Sequence, residues 1–370
     1  MFIIKEIETH IVQVPLKVTL KMSGVHIKHC DNMVVKVTST DGTIGWGEAP
    51  YAPFFNGETS LGMCSAVAFM KSRLIGVEIL STESIKEILS KTIYGNSGAK
   101  SAIDMALYDL YGKTTNKQLF EILGGSKRDK VPMIWLVAGG ENEFESLKEK
   151  IDLGFVSFKV KVGTNNVKED IARASQAQTI LKSKYKLSAD ANQGFDKKEA
   201  LEFAKRTGEI GLDWYEQPVD GKDINTMIEC NKISKCPIGV DEGIHNIHDI
   251  QKHFDLGAAG GGSLKLIKFG GVAQLYEAAD LMVSLGMSIN LAGKAANTSI
   301  GSAAIAHFTR SLPSLDWDAS LSSQYLADDI VTNPVQVREG HIIAPEDGPG
   351  LGIRIDETKL NKYLRHSNLF

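Results

Sequence analysis

The chain has 370 residues, more than one hydrophobic core usually organises, so its length predicts either two domains or one large barrel with additions. Hydrophobic residues make up 43% and charged residues 23%, values that exclude an intrinsically disordered or low-complexity chain. The formal net charge of -4 gives no electrostatic reason to expect a nucleic acid or an anionic membrane as partner.

Residues 1–16 alternate apolar and polar residues like a β-strand and lack the basic head, apolar stretch and cleavage site of a signal peptide. No apolar run approaches the roughly 20 residues of a transmembrane helix. We therefore expect a cytoplasmic protein without a membrane partner. The scattered cysteines predict neither a disulfide framework nor a zinc site, and we expect reduced thiols at Cys30, Cys64, Cys230 and Cys236.

Residues 1–125 have the pattern of a small α+β domain, which we expect residues from about 338 to 370 to complete. Asp41-Gly42 marks a hairpin turn. Residues 335–356 look like strands that return to this domain. The apolar spacing predicts strands over about 2–14 and 32–38, and helices over about 59–75, 82–92 and 97–112.

Residues 126–337 alternate short β-branched or apolar runs with amphipathic helical segments. The run centres lie about 24–30 residues apart, which is the length of one strand-plus-helix unit. Eight such units predict an α/β fold, a (β/α)8 TIM barrel that carries the first domain as a cap. The eight runs are VPMIWLV, VSFKVKV, KLSAD, LDWYE, IGVDE, SLKLIKF, MSINLA and SLDW.

An open doubly wound sheet is the rival fold. It is disfavoured because the evenly spaced strands lack a glycine-rich phosphate-binding turn between a strand and a helix. Gly260-Gly261-Gly262 precedes a strand instead, and we interpret it as a turn.

Charged residues stand at the ends of successive runs, and catalytic residues of a TIM barrel occupy the carboxyl ends of its strands. A single such residue is usually a solvated cap or part of an ion pair, whereas a series at successive strands indicates a site. The series consists of Lys159 and Lys161 in the second run, Asp190 in the third, Glu216 in the fourth, Asp241 in the fifth, and Lys265 and Lys268 in the sixth.

The three carboxylates are about 25 residues apart, so they come from three neighbouring strands. Three acidic groups in one site repel each other unless a hard cation neutralises them, and oxygen-only ligation favours Mg2+. Asp190, Glu216 and Asp241 are therefore the candidate ligands.

Lys161 and Lys265 flank the carboxylates on either side, where they would face a substrate bound to the metal. A divalent cation and the neighbouring Lys159 would lower the pKa of Lys161, so that it can remove a proton at neutral pH. The hydrogen on the carbon next to a metal-bound carboxylate is the one to remove, because its loss gives an enediolate that Mg2+ stabilises. Bases on both faces permit removal on one side and return on the other.

The motifs of this chain resemble those of the enolase superfamily, specifically the muconate lactonizing enzyme subgroup, over nearly its whole length. The motifs are Lys159-Val160-Lys161, Asp190-Ala191-Asn192, Glu216-Gln217-Pro218, Asp241-Glu242, residues 265–271, Gly45-Trp46-Gly47-Glu48, the helix SAIDMALYDLYGK, Leu123-Gly124-Gly125 and Gly348-Pro349-Gly350-Leu351-Gly352.

The resemblance implies an α+β cap over a modified barrel in which one strand runs differently. It also implies that the three carboxylates hold Mg2+, that Lys161 and Lys265 form an acid/base pair, and that Lys159 tunes Lys161. We expect Asn192, Glu242 and Lys268, from the same motifs, to support these residues. Lysine at both base positions is unlike the sugar-acid dehydratases and the mandelate branch, which use a His–Asp pair.

The resemblance implies that loops of the cap and the last two barrel strands determine the substrate specificity. The cap offers Tyr51, Phe54 and Phe55, and the last run offers Asp316-Trp317-Asp318. The two acids resemble the Asp-x-Asp by which dipeptide epimerases hold an ammonium group, and Trp317 could hold a quaternary ammonium by cation–π contact. Packing of the aromatic residues in the lid and core is the alternative.

The seventh run departs from the family pattern. Asn297 stands where dipeptide epimerases and muconate cycloisomerases share the acid of a Met-x-Glu segment, which weakens both assignments. Lys294 is a candidate contact for an anionic end of the substrate, with a solvated or ion-paired lysine as the alternative.

The sequence thus predicts a Mg2+-dependent racemase or epimerase of a small carboxylate, such as an N-substituted amino acid, a betaine or a dipeptide. A muconate-type cycloisomerase or a syn-dehydratase acting through the same enediolate is the alternative. A catalytically silent barrel that serves binding or assembly is a third, remote one. Capped barrels often self-associate, so we expect a homo-oligomer.

Overall fold

The amino-terminal part of the chain forms a cap of strands and helices. The computed structural model describes residues 1–22, 25–53, 55–139, 142–294 and 296–368. The three predicted helices and the hairpin turn at Asp41-Gly42 are confirmed. The cap comprises strands β1 (Phe2–Val12), β2 (Pro15–Met22), β3 (Val25–His29), β4 (Asn32–Ser39), β5 (Ile44–Ala49) and β6 (Glu78–Ile79), and helices α1 (Ser60–Leu74), α2 (Thr82–Ser90), α3 (Ser97–Thr115) and α4 (Leu119–Ile122).

The barrel follows the cap in the chain. Its elements, preceded by the short strand β7 (Val131–Pro132), are β8 (Ile134–Val137), α5 (Glu143–Asp152), β9 (Ser157–Lys161), α6 (Val167–Leu181), β10 (Lys186–Asp190), α7 (Lys197–Ile210), β11 (Trp214–Glu216), α8 (Ile224–Ile233), β12 (Ile238–Val240), α9 (Ile247–Asp255), β13 (Gly261–Leu264), α10 (Leu266–Phe269), α11 (Val272–Ser284), β14 (Ser288–Ala292), α12 (Ser299–Ser311) and β15 (Ala319–Ser320).

Eight strands pair in chain order from β8 to β15, and every pair is parallel. A parallel bridge between Met133 and Ala319 brings the two edges together. The expectation that one strand would run differently is therefore wrong for this chain. The barrel is modified after its eighth strand, where the 3-10 turn Ser323–Tyr325 follows β15 in place of a barrel helix.

Two of the eight strands lie elsewhere than the sequence predicts. The sixth strand is Gly261–Leu264, and the apolar residues after it form the short helix α10. A Cβ at Gly261 would lie 2.4 Å from the Trp317 ring, so glycine is required inside the barrel and the glycine run is not merely a turn. The eighth strand begins at Ala319, after the predicted run SLDW.

The last part of the chain runs back along both the barrel and the cap. Its elements are β16 (Gln336–Arg338), β17 (His341–Ile343), α13 (Glu357–Tyr363) and β18 (Leu364–Ser367). The hairpin of β16 and β17 pairs with β7, so the prediction that residues 335–356 form strands of the cap is wrong for these strands. Strand β18 does pair with β1 and extends the antiparallel cap sheet.

Glycines let the central cap helix lie directly on the cap sheet. A Cβ at Gly47 would lie 2.0 Å from the carbonyl oxygen of Ala102, and one at Gly45 would lie 2.1 Å from that of Ala106. Both distances are far below van der Waals contact, so only glycine allows α3 to approach β5 this closely. None of the helices in the described ranges is long and apolar enough to cross a bilayer.

A buried carboxylate joins the cap to the barrel. Glu48, in β5, is 2% exposed and accepts hydrogen bonds from the backbone N–H groups of Thr298 (2.9 Å) and Gly301 (2.8 Å). These donors belong to the amino terminus of α12, where the helix dipole favours a negative charge. Asn32 of β4 donates one hydrogen bond to Glu48 and another, of 2.8 Å, to the carbonyl of Ala296.

Replacement of Glu48 by glutamine is expected to lower the free energy of unfolding by about 2–3 kcal/mol, because an amide cannot accept from all of these donors. Equilibrium denaturation in urea measures the change. Glu6→Gln, at an exposed glutamate on strand β1 of the same sheet, is the matched control and should change the free energy by less than about 0.5 kcal/mol. Equal stabilities of the two variants would show that Glu48 does not hold the cap.

A buried histidine links α12 to the segment that follows the hairpin of β16 and β17. The His307 ring stacks on Phe120 with centroids 5.8 Å apart, and its Nε2 lies 3.2 Å from the carbonyl oxygen of Leu351. Burial lowers the pKa of His307 to about 4. The unfolded chain, with a histidine pKa near 6.5, therefore binds this proton more readily than the folded chain.

The contribution of His307 to stability is thus complete above about pH 6.5 and is lost as the pH falls towards 4. Between pH 7 and pH 5, the wild-type protein should lose about 2 kcal/mol more stability than His307→Gln. Urea denaturation at both pH values checks this. His366→Gln, at an exposed position, should retain the wild-type pH dependence, and an unchanged pH dependence in His307→Gln would contradict the account.

Candidate active site

Charged side chains project from the carboxyl ends of five consecutive barrel strands. In the sheet register, Asp190 at the end of β10 lies between Lys161 of β9 and Glu216 of β11. Asp241 directly follows β12, and Lys265 directly follows β13. Because parallel strands place their carboxyl ends at one rim, the predicted series converges at the mouth of the barrel.

Two of the three carboxylates each form an ion pair with a lysine of β9. Lys161 Nζ lies 2.6 Å from Asp190 Oδ2, and Lys159 Nζ lies 2.5 Å from Glu216 Oε2. The Lys159 ammonium also lies 4.3 Å from the centroid of the Trp214 ring. All four ionic side chains are buried, where an unpaired charge would be costly.

The third carboxylate, Asp241, forms ion pairs with two lysines. Asp241 Oδ2 accepts from Lys265, and Asp241 Oδ1 accepts from Lys268 at 2.9 Å. Lys268, predicted as a supporting residue, also donates to the carbonyl oxygens of Asp241 (2.7 Å) and Ser263 (2.6 Å). It thereby ties the end of β12 to β13 and fixes the backbone that carries Asp241.

Burial and neighbouring charges shift the pKa values of the carboxylates in different directions. Burial alone would raise the pKa of Asp190, but Lys161 and Lys159 together outweigh burial and the pKa is lowered. Burial is likewise outweighed at Asp241, where Lys265 helps to hold the pKa well below its usual range. The pKa of Glu216 is raised by burial and by the charge of Asp190. Asp190 and Asp241 are therefore anions at neutral pH.

Asn192 and Glu242 extend this network. Asn192 Oδ1 accepts from Lys161 at 2.7 Å, and Asn192 Nδ2 donates to Glu242 Oε1 at 3.1 Å. Burial, followed by the charges of Asp241 and Asp190, raises the pKa of Glu242 to about 8. Glu242 Oε2 is buried and has no hydrogen-bond partner among the residues that the structure describes.

A cavity of about 470 Å³ lies above these residues, between the barrel and the cap. Tyr51 and Phe55 line it from the cap and Lys294 lines it from the loop after β14, so these three predicted residues reach it. The Phe55 ring centroid lies 4.6 Å from Lys265 Nζ and 5.9 Å from Lys294 Nζ. Phe54, also predicted here, lies outside the described residues.

Asp316, Trp317 and Asp318, predicted to contact the substrate, are not among the residues that line this cavity. Trp317 stacks on Trp214 inside the barrel, with ring centroids 4.4 Å apart. Asp318 pairs at 3.1 Å with Lys186, which also donates to the Asp316 carbonyl and is the first residue of β10. The triplet therefore lies at the amino-terminal end of the barrel strands, opposite the cavity.

The eighth strand reaches the cavity through residues further along the chain. Ser320, Leu321 and Ser322, in and directly after β15, line the cavity in place of the predicted triplet. The error arose because SLDW has the composition of a strand, whereas Trp317 precedes the strand and packs across the barrel.

Two positioning residues were missed. Gln217, fully buried at φ 36°, accepts hydrogen bonds through Oε1 from the backbone N–H groups of Asp241 (2.9 Å) and Gly243 (3.1 Å). Ser263 Oγ donates to Glu216 Oε1. Gln217 belongs to the motif Glu216-Gln217-Pro218, so its position next to Glu216 could have identified it. No feature of the sequence singled out Ser263.

The carboxylates face lysines in this arrangement. Within the described ranges, no three aspartate, glutamate, histidine or cysteine side chains are close enough together to form a ready metal centre. The ion pairs explain this, because each carboxylate turns an oxygen towards an ammonium group.

Two protein families match the chain. The family model described as "Mandelate racemase / muconate lactonizing enzyme, N-terminal domain" matches residues 6–124, which contain most of the cap. The model described as "Enolase C-terminal domain-like" matches residues 144–359, which contain most of the barrel.

Curated relatives at similar identity differ in their reactions. The chain is 27% identical to a chloromuconate cycloisomerase of Cupriavidus pinatubonensis, over 97% of this chain and 98% of that one. It is 28% identical to an N-succinyl-L-Arg/Lys racemase of Bacillus cereus, over 97% of each. A hydrophobic dipeptide epimerase of Enterococcus faecalis is 27% identical over 95% of this chain and 99% of that one. These relatives are all isomerases.

Solved structures show the same architecture. The N-succinyl Arg/Lys racemase of Bacillus cereus superposes with a TM-score of 0.93 at 27% identity, covering 99% of both chains. The 2-chloromuconate cycloisomerase of Rhodococcus opacus also superposes with a TM-score of 0.93, at 25% identity, covering 98% of this chain and 100% of that one. Because both family models and these structures cover the cap and the barrel together, the chain belongs to the mandelate racemase/muconate lactonizing enzyme family of the enolase superfamily.

Proposed function

We propose that this protein is a Mg2+-dependent isomerase that removes the hydrogen on the carbon next to a carboxylate, and that it acts as a racemase or epimerase of an N-substituted amino acid. One observation carries the proposal. Lys161 stands on the second barrel strand and Lys265 follows the sixth, so four steps around a ring of eight strands separate them. They therefore approach one cavity from opposite sides, with the carboxylates between them.

The donor set fits Mg2+. Asp190, Glu216 and Asp241 offer only oxygen atoms from three consecutive strands, as a hard cation requires. The ion-pair partners of these carboxylates are lysine side chains, which are flexible. These three carboxylates would hold the ion, which supplies positive charge next to the oxyanion that develops when the substrate loses its proton.

The two lysines carry the proton in opposite directions. In one direction, neutral Lys161 Nζ takes the proton from the α-carbon while the Lys265 ammonium gives a proton to the other face, so that the configuration inverts. The protonation states of the two lysines are then exchanged, and the reverse reaction restores them. Asn192 holds Lys161 by a hydrogen bond of 2.7 Å, which keeps Nζ on its side of the cavity.

Lys159 and Lys268 have other parts in the site. Lys159 pairs with Glu216, and Lys268 pairs with Asp241 while bonding two backbone carbonyls. Both ammonium groups balance carboxylate charge and keep the carboxylates in place. The Phe55 ring covers Lys265 at 4.6 Å and helps to keep water from it.

A cycloisomerase is the second candidate, since relatives with that activity match the chain at the same level of identity as the racemase. The two functions differ in the fate of the α-carbon. A racemase inverts it, whereas a cycloisomerase forms or opens a ring without inversion.

Deuterium exchange separates the roles of the two lysines. In D2O with Mg2+, the wild-type protein should introduce deuterium at the α-carbon of both enantiomers of one N-substituted amino acid and interconvert them. Lys161→Ala and Lys265→Ala should each lower interconversion at least about 10²-fold, because one face loses its base. Each variant should retain exchange on one enantiomer only, and the two variants should retain opposite ones. Mass spectrometry and chiral chromatography measure the two quantities.

Lys186→Ala is the matched control, because this lysine lies on β10 at the opposite end of the barrel and is half exposed. It should retain wild-type exchange. Ring closure without inversion would favour the cycloisomerase. Exchange that persists on both enantiomers in Lys161→Ala or in Lys265→Ala would contradict the assignment of the bases.

A further inference from the structure

Lys294 differs from the lysines of the second and sixth barrel strands that line the cavity. Lys159, Lys161 and Lys265 each have a carboxylate partner within ion-pair distance, whereas the described residues place no carboxylate at that distance from Lys294 Nζ. Its side chain nevertheless lines the cavity and is partly buried. An ammonium group that is withdrawn from water without a counter-ion is unfavourable, so its environment lacks one negative charge.

The carboxylates nearest the barrel strands already have lysine partners. Glu216 pairs with Lys159, Asp190 with Lys161, and Asp241 with Lys265 and Lys268. Burial and the neighbouring ammonium of Lys265 lower the pKa of Lys294 to about 8, as expected for a lysine with no adjacent anion.

The acids nearer the cap are engaged elsewhere. Asp31 accepts from Gln13 at 2.7 Å and pairs with His29 at 3.0 Å. Asp220 accepts from the backbone N–H of Lys222 at 2.8 Å. Neither forms an ion pair with Lys294, so the described residues supply no counter-ion for it.

The backbone around Lys294 is held in place. Ser322 Oγ donates to the Lys294 carbonyl at 2.7 Å and accepts from the Asn297 N–H at 2.8 Å, which ties this loop to the end of the eighth strand. Asn32 of the cap holds the Ala296 carbonyl at 2.8 Å. The centroid of the Phe55 ring lies 5.9 Å from the Lys294 ammonium and 4.6 Å from the Lys265 ammonium. These hydrogen bonds fix the backbone of the loop that carries the Lys294 ammonium.

The loop after β14 carries one lysine and one neutral polar residue. Asn297 stands three positions after Lys294. The Asn297 side chain faces a small space beside Gly301 instead of the large cavity. The loop therefore presents a positive charge to the substrate.

We infer that Lys294 forms a subsite for a second carboxylate of the substrate, so that the molecule isomerised is a dianion. One carboxylate lies next to the reacting carbon, and the other lies at the far end of the molecule and pairs with the Lys294 ammonium. This inference rests on the proposed function for the position of the first carboxylate. It narrows the substrate class to amino acids whose nitrogen substituent ends in a carboxylate, or to dicarboxylic acids of similar length.

Binding of unreactive diacids tests the subsite without any turnover. The probes are succinate, glutarate, adipate and pimelate, each compared with its own mono-amide by calorimetric titration of the Mg2+-loaded protein at pH 7. At the chain length that spans the cavity, the diacid should bind about 10- to 100-fold more tightly than the mono-amide, as for a hydrogen bond between charged groups. Lys294→Met should abolish this difference, and Lys294→Arg should retain most of it.

Lys186→Met, at the other end of the barrel, is the control and should bind like the wild type. Circular dichroism and melting curves show whether each variant is folded. Equal binding of diacid and mono-amide at every chain length would overturn the inference, and so would a diacid preference that persists in Lys294→Met.

The two proposals can fail separately. Lys161→Ala should lose interconversion of enantiomers in D2O and still prefer diacids. A diacid preference that depends on Lys294, without deuterium exchange on any compound, would leave the subsite intact and reject the proposed chemistry. Exchange that prefers neutral N-acyl groups, and is unchanged in Lys294→Met, would reject the subsite and retain the chemistry.

Discussion

Ion pairing inside the mouth of the barrel is the constraint on which the site depends. A buried lysine or carboxylate is tolerated only when an opposite charge and further hydrogen bonds compensate for lost water. The strands therefore place lysine and carboxylate side by side, as at Lys161 and Asp190, which are register partners on adjacent strands. The same pairs that allow the charges to be buried also bring the lysines and the three carboxylates together at the mouth of the barrel.

The cap takes part in this arrangement. Phe55 covers the ammonium groups of two lysines, and Glu48 binds the amino terminus of the helix that follows the seventh strand. Between these two contacts lies the loop that carries Lys294. The position of the unpaired lysine thus depends on the docking of the cap as well as on the barrel.

The sequence was sufficient to predict the barrel and the charged residues at its mouth, because strand ends recur at regular spacing and three acids on neighbouring strands stand out. It did not predict that these charges pair with each other. The sequence was insufficient where contacts between distant parts of the chain determine the position of a strand or the partners of a side chain. Gly261 lies in a strand because the Trp317 ring occupies the space of a side chain, and no local pattern reveals that contact. Glu48 was visible only as part of a motif, since its partners are about 250 residues away in the chain.

The most direct test of the account is a crystal structure of the protein grown with Mg2+. The account predicts one cation bonded to oxygens of Asp190, Glu216 and Asp241 at about 2.0–2.1 Å, with Lys161 and Lys265 on opposite sides of the adjoining cavity. Ion pairs of these carboxylates that remain intact at saturating Mg2+, with no cation between them, would contradict it.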